Sequence, residues 1–441
     1  MKIDAARVST ARGTGSSAAH FSSGQLSGDG SATLGVTATA IAHAPAKSSL
    51  FKAGPADFWR LWMVGLVIFT VRWLETIVVA MFVYRHTGSP FIVASVTMLR
   101  LLPMGLLGAF LGAWAERIDR RLTLIVMVTI MLSASLSLGV LAWTGQLAVW
   151  HVALASFVNG VGWATDNPVR RALIGEVTGP AQMATAMSLD VGANNASRMI
   201  GPTIGGLLLG SIGISGVFML SVCLYALALF SAIRIHHRDS RVSTAAPVLD
   251  RIAEGLRFVR RDRRLIGTLV VTIIYNLFGW PFTSMVAVIG QDRLQLDAEG
   301  IGILASMDGV GAFFGALLLT LFLRPSWYGR AYVGGIAAYL VMLTVFALSS
   351  HPAIAGTALL LTGLGGAGFS TMQATLVYLS SPPEMRSRIL GVLSVCIGVG
   401  PFGFVGLGML ADAIGAGAAT TATGLTGLLA LLLARPLWRH I

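Results

Sequence analysis

The sequence GAWAERIDRR at residues 112–121 places a short charged turn between two long apolar runs. The first run extends from Phe91 to Ala115 and the second from Leu122 to Trp143. Each is long enough to cross a hydrocarbon core of about 30 Å as a helix. Only Ile118 is uncharged in the turn from Glu116 to Arg121. The stretch therefore predicts two membrane helices joined by a tight, largely basic turn.

Composition extends this interpretation to the whole chain. Of 441 residues, 55% are hydrophobic and 11% charged, whereas soluble domains carry about 25% charged residues. Apolar runs of membrane length recur from Leu61 to Ala434. Lipid offers no partners to backbone N–H and C=O groups, so spanning segments are helices or closed barrels. Because the runs are continuous rather than alternating, they exclude the barrel. The predicted fold class is an all-α polytopic membrane protein.

Twelve transmembrane helices are predicted, which divide into two six-helix halves. Their spans are 59–84, 91–115, 122–143, 148–167, 186–211, 214–234, 265–289, 301–323, 331–350, 353–378, 388–411 and 417–435. The predicted domains are a disordered cytoplasmic tail (1–56), a first half (57–237), a cytoplasmic loop (238–264) and a second half with a short cytoplasmic tail (265–441). Within the loop, residues 253–264 fit either an amphipathic surface helix or a charged linker.

The distribution of arginine predicts the orientation. The formal net charge is +12, and arginines cluster in every second connection between the predicted helices. Such loops face the cytoplasm, so both termini are predicted to be cytoplasmic and the protein to lie in the inner (plasma) membrane. The same clustering argues against nucleic acid as a partner. Cys223 and Cys396 each lie in an apolar run, so no disulfide framework, metal site or cofactor is expected.

Four segments carry a family resemblance. They are YRHTGSP at 84–90 with Leu102-Pro103 and the turn at 112–121, DNPVRRALI at 166–174, SRMIGPTIGG at 197–206, and MRSR at 385–388 with Gly391 and Gly400-Pro401. Together they resemble the transmembrane secretion effector group of the major facilitator superfamily, which includes enterobactin-exporter-like proteins. The resemblance covers about residues 57–435. It implies the major facilitator fold, with two repeated halves around a site near the midplane. The recurrence of Gly-Pro at 201 and 400, 400 − 201 = 199 residues apart, supports such a repeat.

The resemblance assigns roles to the turn at 112–121. Its gating and signature residues are Gly112, Glu116, Arg117, Arg120 and Arg121. In the superfamily, this network locks the outward-facing state, with Glu116 here in place of the usual Asp. Asp119 departs from the pattern, which has Gly, and is free to pair with a neighbouring arginine. The alternative is that these residues only anchor the topology.

Predicted helix five resembles the antiporter motif of the superfamily, which marks exporters more than importers. The matching residues are Gly201, Pro202, Gly205 and Gly206. Pro202 removes a backbone donor, and the glycines permit close approach of a helix from the other half. A purely structural packing role is the alternative.

Ionisable residues inside a membrane are costly and face the bundle interior or a cavity. The candidates for proton coupling or substrate binding are Glu75, Asp190, Asp308, Arg72, Arg100, Arg198 and Asn194. The acids are candidates for proton exchange, and the arginines for tuning them or for meeting an anionic group of the substrate. Structural pairs, Arg72 with Glu75 and Asp190 with Arg198, are the alternative. Asp308 has no basic partner nearby in sequence, which suits a proton carrier.

These observations predict a secondary transporter rather than an enzyme. The favoured function is proton-coupled export of an amphipathic small molecule (a drug, siderophore or secondary metabolite) by alternating access. The alternatives are an uptake permease for a small metabolite, a membrane enzyme and a scaffold. The expected partners are the small-molecule substrate, protons or another coupling cation, and the lipid bilayer, with the protein acting as a monomer.

Overall fold

The computed structural model describes residues 56–115, 119–236, 248–382 and 384–441, and within these ranges it is helical and contains no strand. The helices are α1 (Ala56–Thr87), α2 (Pro90–Ala115), α3 (Arg120–Trp143), α4 (Val149–Ile233), α5 (Val248–Val259), α6 (Arg263–Ile274), α7 (Val286–Asp292), α8 (Ala298–Phe322), α9 (Tyr328–Leu348), α10 (Pro352–Leu379), α11 (Arg386–Ile397), α12 (Gly400–Ile414), α13 (Ala416–Leu433) and α14 (Arg435–Trp438). The predicted all-α class is confirmed.

All twelve predicted spans fall on helical structure, although two of them are interrupted. Among the described residues, nine helical stretches are long and apolar enough to cross a membrane, and one of them, Gln182–Ile233, covers two predicted spans. A shorter apolar stretch, Pro90–Gly105, belongs to α2. Residues 1–55 of the predicted tail (1–56) and residues 238–247 of the predicted loop (238–264) lie outside the described residues. The division into two halves stays a prediction.

The element α4 contains three helical segments joined by very tight turns. It is interrupted only at Gly179, with φ 68°, and Gly213, with φ 70°, a region that favours glycine. We call the segments α4a (149–178), α4b (180–212) and α4c (214–233). The predicted connection at 168–185 was therefore wrong. The arginines that suggested a loop there are held inside α4a by buried carboxylates.

Predicted helices seven and eleven are both broken. After α6 the chain passes through a π-helical turn at Tyr275–Gly279 and a 3₁₀ turn at Trp280–Ser284 before α7 begins. Predicted helix eleven divides into α11 and α12 at the turn formed by Gly398 and Val399. Proline removes a backbone donor and clashes with the preceding turn. Pro281 lies within the 3₁₀ turn, and Pro401 lies in the first turn of α12, directly after the break. By contrast, Pro202 lies within continuous helix, so the two copies of the Gly-Pro repeat differ in structure.

The loop between the predicted halves contains the helix α5, which ends at Val259 rather than continuing to residue 264. Its Gly255 lies against the backbone of Arg388 at the start of α11. Glu254 accepts an ion pair from Arg388 at 2.8 Å. The segment is thus a helix packed on α11, in keeping with the surface-helix interpretation.

Candidate functional site

Segment α4b and helix α8 pack with their backbones in close contact. A Cβ at Gly302 would lie 2.6 Å from the carbonyl oxygen of Pro202, and one at Gly206 would lie 2.9 Å from the Cα of Gly302. The backbone N–H and hydroxyl of Thr203 donate to the Ser306 hydroxyl at 3.0 and 2.8 Å. Small residues and interhelical hydrogen bonds are the usual means of helix association in lipid.

The antiporter-like motif does not present all its glycines to this contact. Gly201 and Gly205 face α1, where added Cβ atoms would meet Trp73 and Leu74. Only Gly206 faces α8, so the expectation that all three approach a helix of the other half was wrong for two of them. The reason is the helical period: residues four apart share a face, and Gly206 lies about 100° away.

The α4b–α8 contact provides a sharp test of packing. We expect Gly206→Ala to lower the free energy of unfolding by about 1–3 kcal/mol, because its Cβ would overlap backbone atoms of α8. Gly210→Ala, one turn along the same helix, meets nothing within 4 Å and should leave stability unchanged or slightly raised. Thermal denaturation of the purified protein measures both. Equal melting temperatures for the two variants would contradict this packing.

An ion pair joins α4b to α8 beside the glycine contact. The guanidinium of Arg198 pairs with Oδ2 of Asp308 through Nη2. Both residues are largely buried, and Oδ1 of Asp308 and Nε of Arg198 make no hydrogen bond with a described residue. Asp308 therefore has a partner that sequence proximity did not reveal, and Arg198 does not pair with Asp190. Removing one charge of a buried pair is costly because it leaves the other charge unpaired.

Asp190 belongs to a separate buried cluster at the junction of α4a and α4b. Arg170, which is completely buried, pairs with Asp190 through Nη1 and with Asp166 through Nε at 3.2 Å. The Nε of Arg171, half exposed, lies 3.6 Å from Oδ2 of Asp190. The Arg170 guanidinium also lies 4.9 Å from the centroid of the Phe69 ring. Asp190 is thus a partner of Arg170 and Arg171 rather than of Arg198.

Arg72 does not pair with Glu75. Its guanidinium carbon lies 3.4 Å from the ring centroid of Trp163 on α4a and 5.1 Å from that of Trp73. Glu75 is buried and accepts hydrogen bonds from Ser135 at 3.1 Å and Asn159 at 3.5 Å. Arg72 and Glu75 therefore contact different groups and not each other.

The remaining predicted residues lie around Trp73 and α1. Arg100 donates to the Thr76 hydroxyl at 3.0 Å. The indole N–H of Trp73 lies 3.4 Å from Oδ1 of Asn194, and the ring centroid of Trp73 is 5.4 Å from the Arg198 guanidinium carbon. Trp73 thus contacts Arg72, Asn194 and Arg198. Sequence reasoning missed both Trp73 and Trp163, whose only signal was an aromatic residue close to a membrane arginine.

The signature turn is described only in part. Glu116 and Arg117 lie outside the described residues, and Gly112 lies in α2 where nothing is described of its surroundings. Arg120 pairs with Glu176 at the end of α4a, and Nη2 of Arg121 donates to the carbonyl of Ile233 at 2.7 Å. Asp119 caps α3 by accepting from the N–H of Leu122 at 3.0 Å. Capping the first turn of α3 gives a physical reason for an acid at position 119.

At the end of the bundle opposite to Arg120, hydrogen bonds join early helices to late ones. The hydroxyl of Tyr84 on α1 donates to Asp292 on α7. Asp412 on α12 accepts from the hydroxyl of Ser89 at 2.9 Å and from the backbone N–H of Phe91 at 2.9 Å. These contacts hold α1 and α2 against α7 and α12.

Other polar and aromatic side chains contribute to packing of the later helices. The amide of Gln373 donates to the Thr272 hydroxyl at 3.2 Å, and that of Asn276 to the Thr272 carbonyl at 2.8 Å. Tyr275 stacks on Phe369 with ring centroids 3.8 Å apart. Among the described residues, no group of three or more His, Cys, Asp or Glu is placed to hold a metal ion.

A cavity of about 310 Å³ lies between α2, α4a and α11. Its lining includes Met104, Trp163, Asn167, Val395 and Ile397. The volume is at the lower end of the range for small-molecule sites, which are mostly apolar with a few polar groups. Trp163 is shared between this cavity and the Arg72 stack.

Comparison with known proteins agrees with this architecture. Residues 45–438 match the family model described as transmembrane secretion effector. The chain is 24% identical to the macrolide efflux protein A of Enterococcus faecalis over 233 residues, 52% of this chain and 72% of that protein. It is 28% identical to the multidrug efflux pump Tap of Mycolicibacterium fortuitum over 384 residues, 83% of this chain and 90% of that protein. The crystal structure of the nucleoside transporter NupG superposes with a TM-score of 0.73 at 11% identity, covering 86% of this chain and 99% of that one.

Proposed function

Since the chain belongs to the transmembrane secretion effector family of the major facilitator superfamily, we propose that it is a proton-coupled exporter of an amphipathic small molecule. Its relatives are transporters rather than enzymes, and the chain itself is a multi-pass membrane protein and a secondary transporter. Within this function, the identity of the coupling ion and the class of the substrate are what we propose.

The observation that carries the proton coupling is the buried pair between Arg198 and Asp308. A proton on Asp308 removes the carboxylate charge and leaves Arg198 without its partner, which weakens the link between α4b and α8. Loss of the proton restores the pair. Because the change costs or gains free energy at a contact between the two proposed halves, it is suited to bias their rocking in alternating access.

The proposed direction rests on two supports. The efflux proteins among the relatives favour export, as does the antiporter-like motif. The hydrogen bonds of Tyr84 and Asp412 lie at the end that the arginine distribution places outside. A state closed there is in keeping with a substrate that enters from the cytoplasm. We place both termini in the cytoplasm, the protein in the plasma membrane, and the functional unit in a monomer.

Transport into inside-out membrane vesicles tests this function. With an imposed gradient, acid inside, we expect vesicles containing the protein to accumulate at least one compound from a panel of dyes, antibiotics and siderophores. A protonophore should abolish that accumulation, and vesicles from cells with an empty vector define the background.

Three results would count against the proposal. Accumulation that the protonophore does not affect would show that transport is not coupled to protons. Accumulation driven by a sodium gradient would show that Na⁺ is the coupling ion instead. Movement of substrate only out of the inside-out vesicles would favour an uptake permease.

A further inference from the structure

The guanidinium of Arg72 has no acidic partner. It lies 3.4 Å from the ring centroid of Trp163 and forms no ion pair or hydrogen bond with a described residue. A guanidinium carries five N–H donors in one plane. Stacking on an aromatic face occupies the face of the ion and leaves the donors at its edge available. A charge placed in a membrane without a partner is a strong indication of function.

The neighbouring acid is already engaged elsewhere. Glu75 is only 2% exposed and accepts from Ser135 on α3 and Asn159 on α4a. Among the other described buried acids, Asp308 is paired with Arg198, and Asp166 and Asp190 are paired with Arg170. No carboxylate of the site is therefore left over to neutralise Arg72.

The charges around Arg72 add to its attraction for an anion. Arg198 lies 5.4 Å from the centroid of the same Trp73 ring that Arg72 contacts, and Arg100 donates to Thr76, one turn from Arg72 on α1. Arg72, Arg100 and Arg198 carry three positive charges, whereas Glu75 and Asp308 carry at most two negative ones. Because the interior is poorly screened, an excess of positive charge there favours anions over cations of the same shape.

Next to this charge lies an apolar space. The cavity between α2, α4a and α11 is lined in part by Trp163, the residue on which Arg72 stacks. Apolar side chains such as Met104, Val395 and Ile397 form much of the remaining lining. Arg72 does not itself line the cavity, and the two meet at Trp163. A molecule with an acidic head and an apolar body would therefore pass the edge of the Trp163 ring to contact Arg72 with one end while its other end fills the cavity.

We propose that the transported substrate is an amphipathic organic anion, whose acidic group binds Arg72 and whose apolar body occupies the cavity beside Trp163. This inference rests on the proposed function and specifies its substrate class. It predicts that the protein prefers an acidic compound to a cationic one with the same ring system.

Fluorescence anisotropy of dyes added to the purified full-length protein tests this directly and needs no transport. Fluorescein and the cationic tetramethylrhodamine methyl ester share a xanthene ring and differ in charge. We expect fluorescein to bind more tightly, and Arg72→Gln to weaken its binding about tenfold or more, as loss of a charged hydrogen-bonding partner does. Arg72→Lys keeps the charge but loses the planar fork and should give an intermediate value. Arg257→Gln, on the exposed face of α5, should bind as the unmodified chain does.

Size-exclusion profiles establish that each variant is folded, and Arg72→Lys keeps the test valid if Arg72→Gln is not. Preference for the cationic dye, no binding of fluorescein, or binding of fluorescein unaffected by both Arg72 variants would overturn the inference. Such results leave the proposed function standing if vesicles still accumulate another compound in a protonophore-sensitive way. If dye binding depends on Arg72 but the vesicles accumulate no compound in a protonophore-sensitive way, the proposed proton coupling fails and the inference about the substrate class stands.

Discussion

Asp308→Asn is expected to reduce gradient-driven accumulation in inside-out vesicles by about tenfold to a hundredfold. The amide resembles the protonated acid in shape but cannot release a proton, so the charged pair with Arg198 never forms. A hydrogen bond to a charged group contributes about 1.5–3 kcal/mol, and each 1.4 kcal/mol corresponds to about a factor of ten. Because a neutral residue 308 still permits the conformational change, exchange of substrate across the membrane without a gradient should persist.

This split between accumulation and exchange separates coupling from a merely structural effect. Glu299→Gln, the same type of substitution at an exposed position of α8, should leave both activities unchanged. Arg198→Gln should also lose accumulation, since its partner then has nothing to pair with. Full accumulation by Asp308→Asn would show that protons are exchanged elsewhere, with Glu75 as the next acid to test.

Arg170→Met is expected to have the largest effect on stability. It leaves the buried carboxylates of Asp166 and Asp190 with only the half-exposed Arg171 nearby. Removing one partner of a buried ionic group costs about 3–5 kcal/mol, a large part of the stability of an ordinary protein. We expect a sharply lower yield of monodisperse protein and a lower melting temperature for what remains.

A triple variant provides the critical comparison. Adding Asp166→Asn and Asp190→Asn to Arg170→Met removes the unpaired charges and should recover more than half of the lost stability. Arg171→Met, at the exposed neighbouring position, should cost less than about 1 kcal/mol. The buried charges do not hold α4a to α4b if Arg170→Met has the same melting temperature as the unmodified chain. The same conclusion follows if the melting temperature of the triple variant is no higher than that of Arg170→Met.

The helices were predictable because each needs a continuous apolar run, and that signal is local. Their breaks were not: Pro202 lies in unbroken helix, whereas Pro401 follows a turn at Gly398 and Val399. The same Gly-Pro dipeptide occurs at both places, so the local sequence does not distinguish them. The helical continuation past residue 167 was missed because Arg170 was interpreted as a loop charge, and only the fold brings Asp190 to it.

The residue types of the candidate site were predictable from the sequence, whereas the partner of each residue was not. Arg198 and Asp308 were both identified as membrane charges, yet they are 110 residues apart, and pairing across helices depends on packing. The same holds for Arg72, whose surroundings are set by Trp163 on α4a. Asp119 was seen as a departure from the signature pattern, and its role as a helix cap follows from backbone geometry that one sequence does not reveal.

The breaks after α6 and between α11 and α12 have a mechanical consequence. The early helices α1 and α4b cross as unbroken rods, and α4b bears the charge of Arg198, whereas the facing region contains a π-turn, a 3₁₀ turn and the Gly398 corner. Interruptions of this kind are the usual places where helices bend. A bend of the chain from α6 to α7, or from α11 to α12, therefore needs less deformation than a bend of α1, α4b or α8, so the interrupted segments are where the bundle flexes most easily.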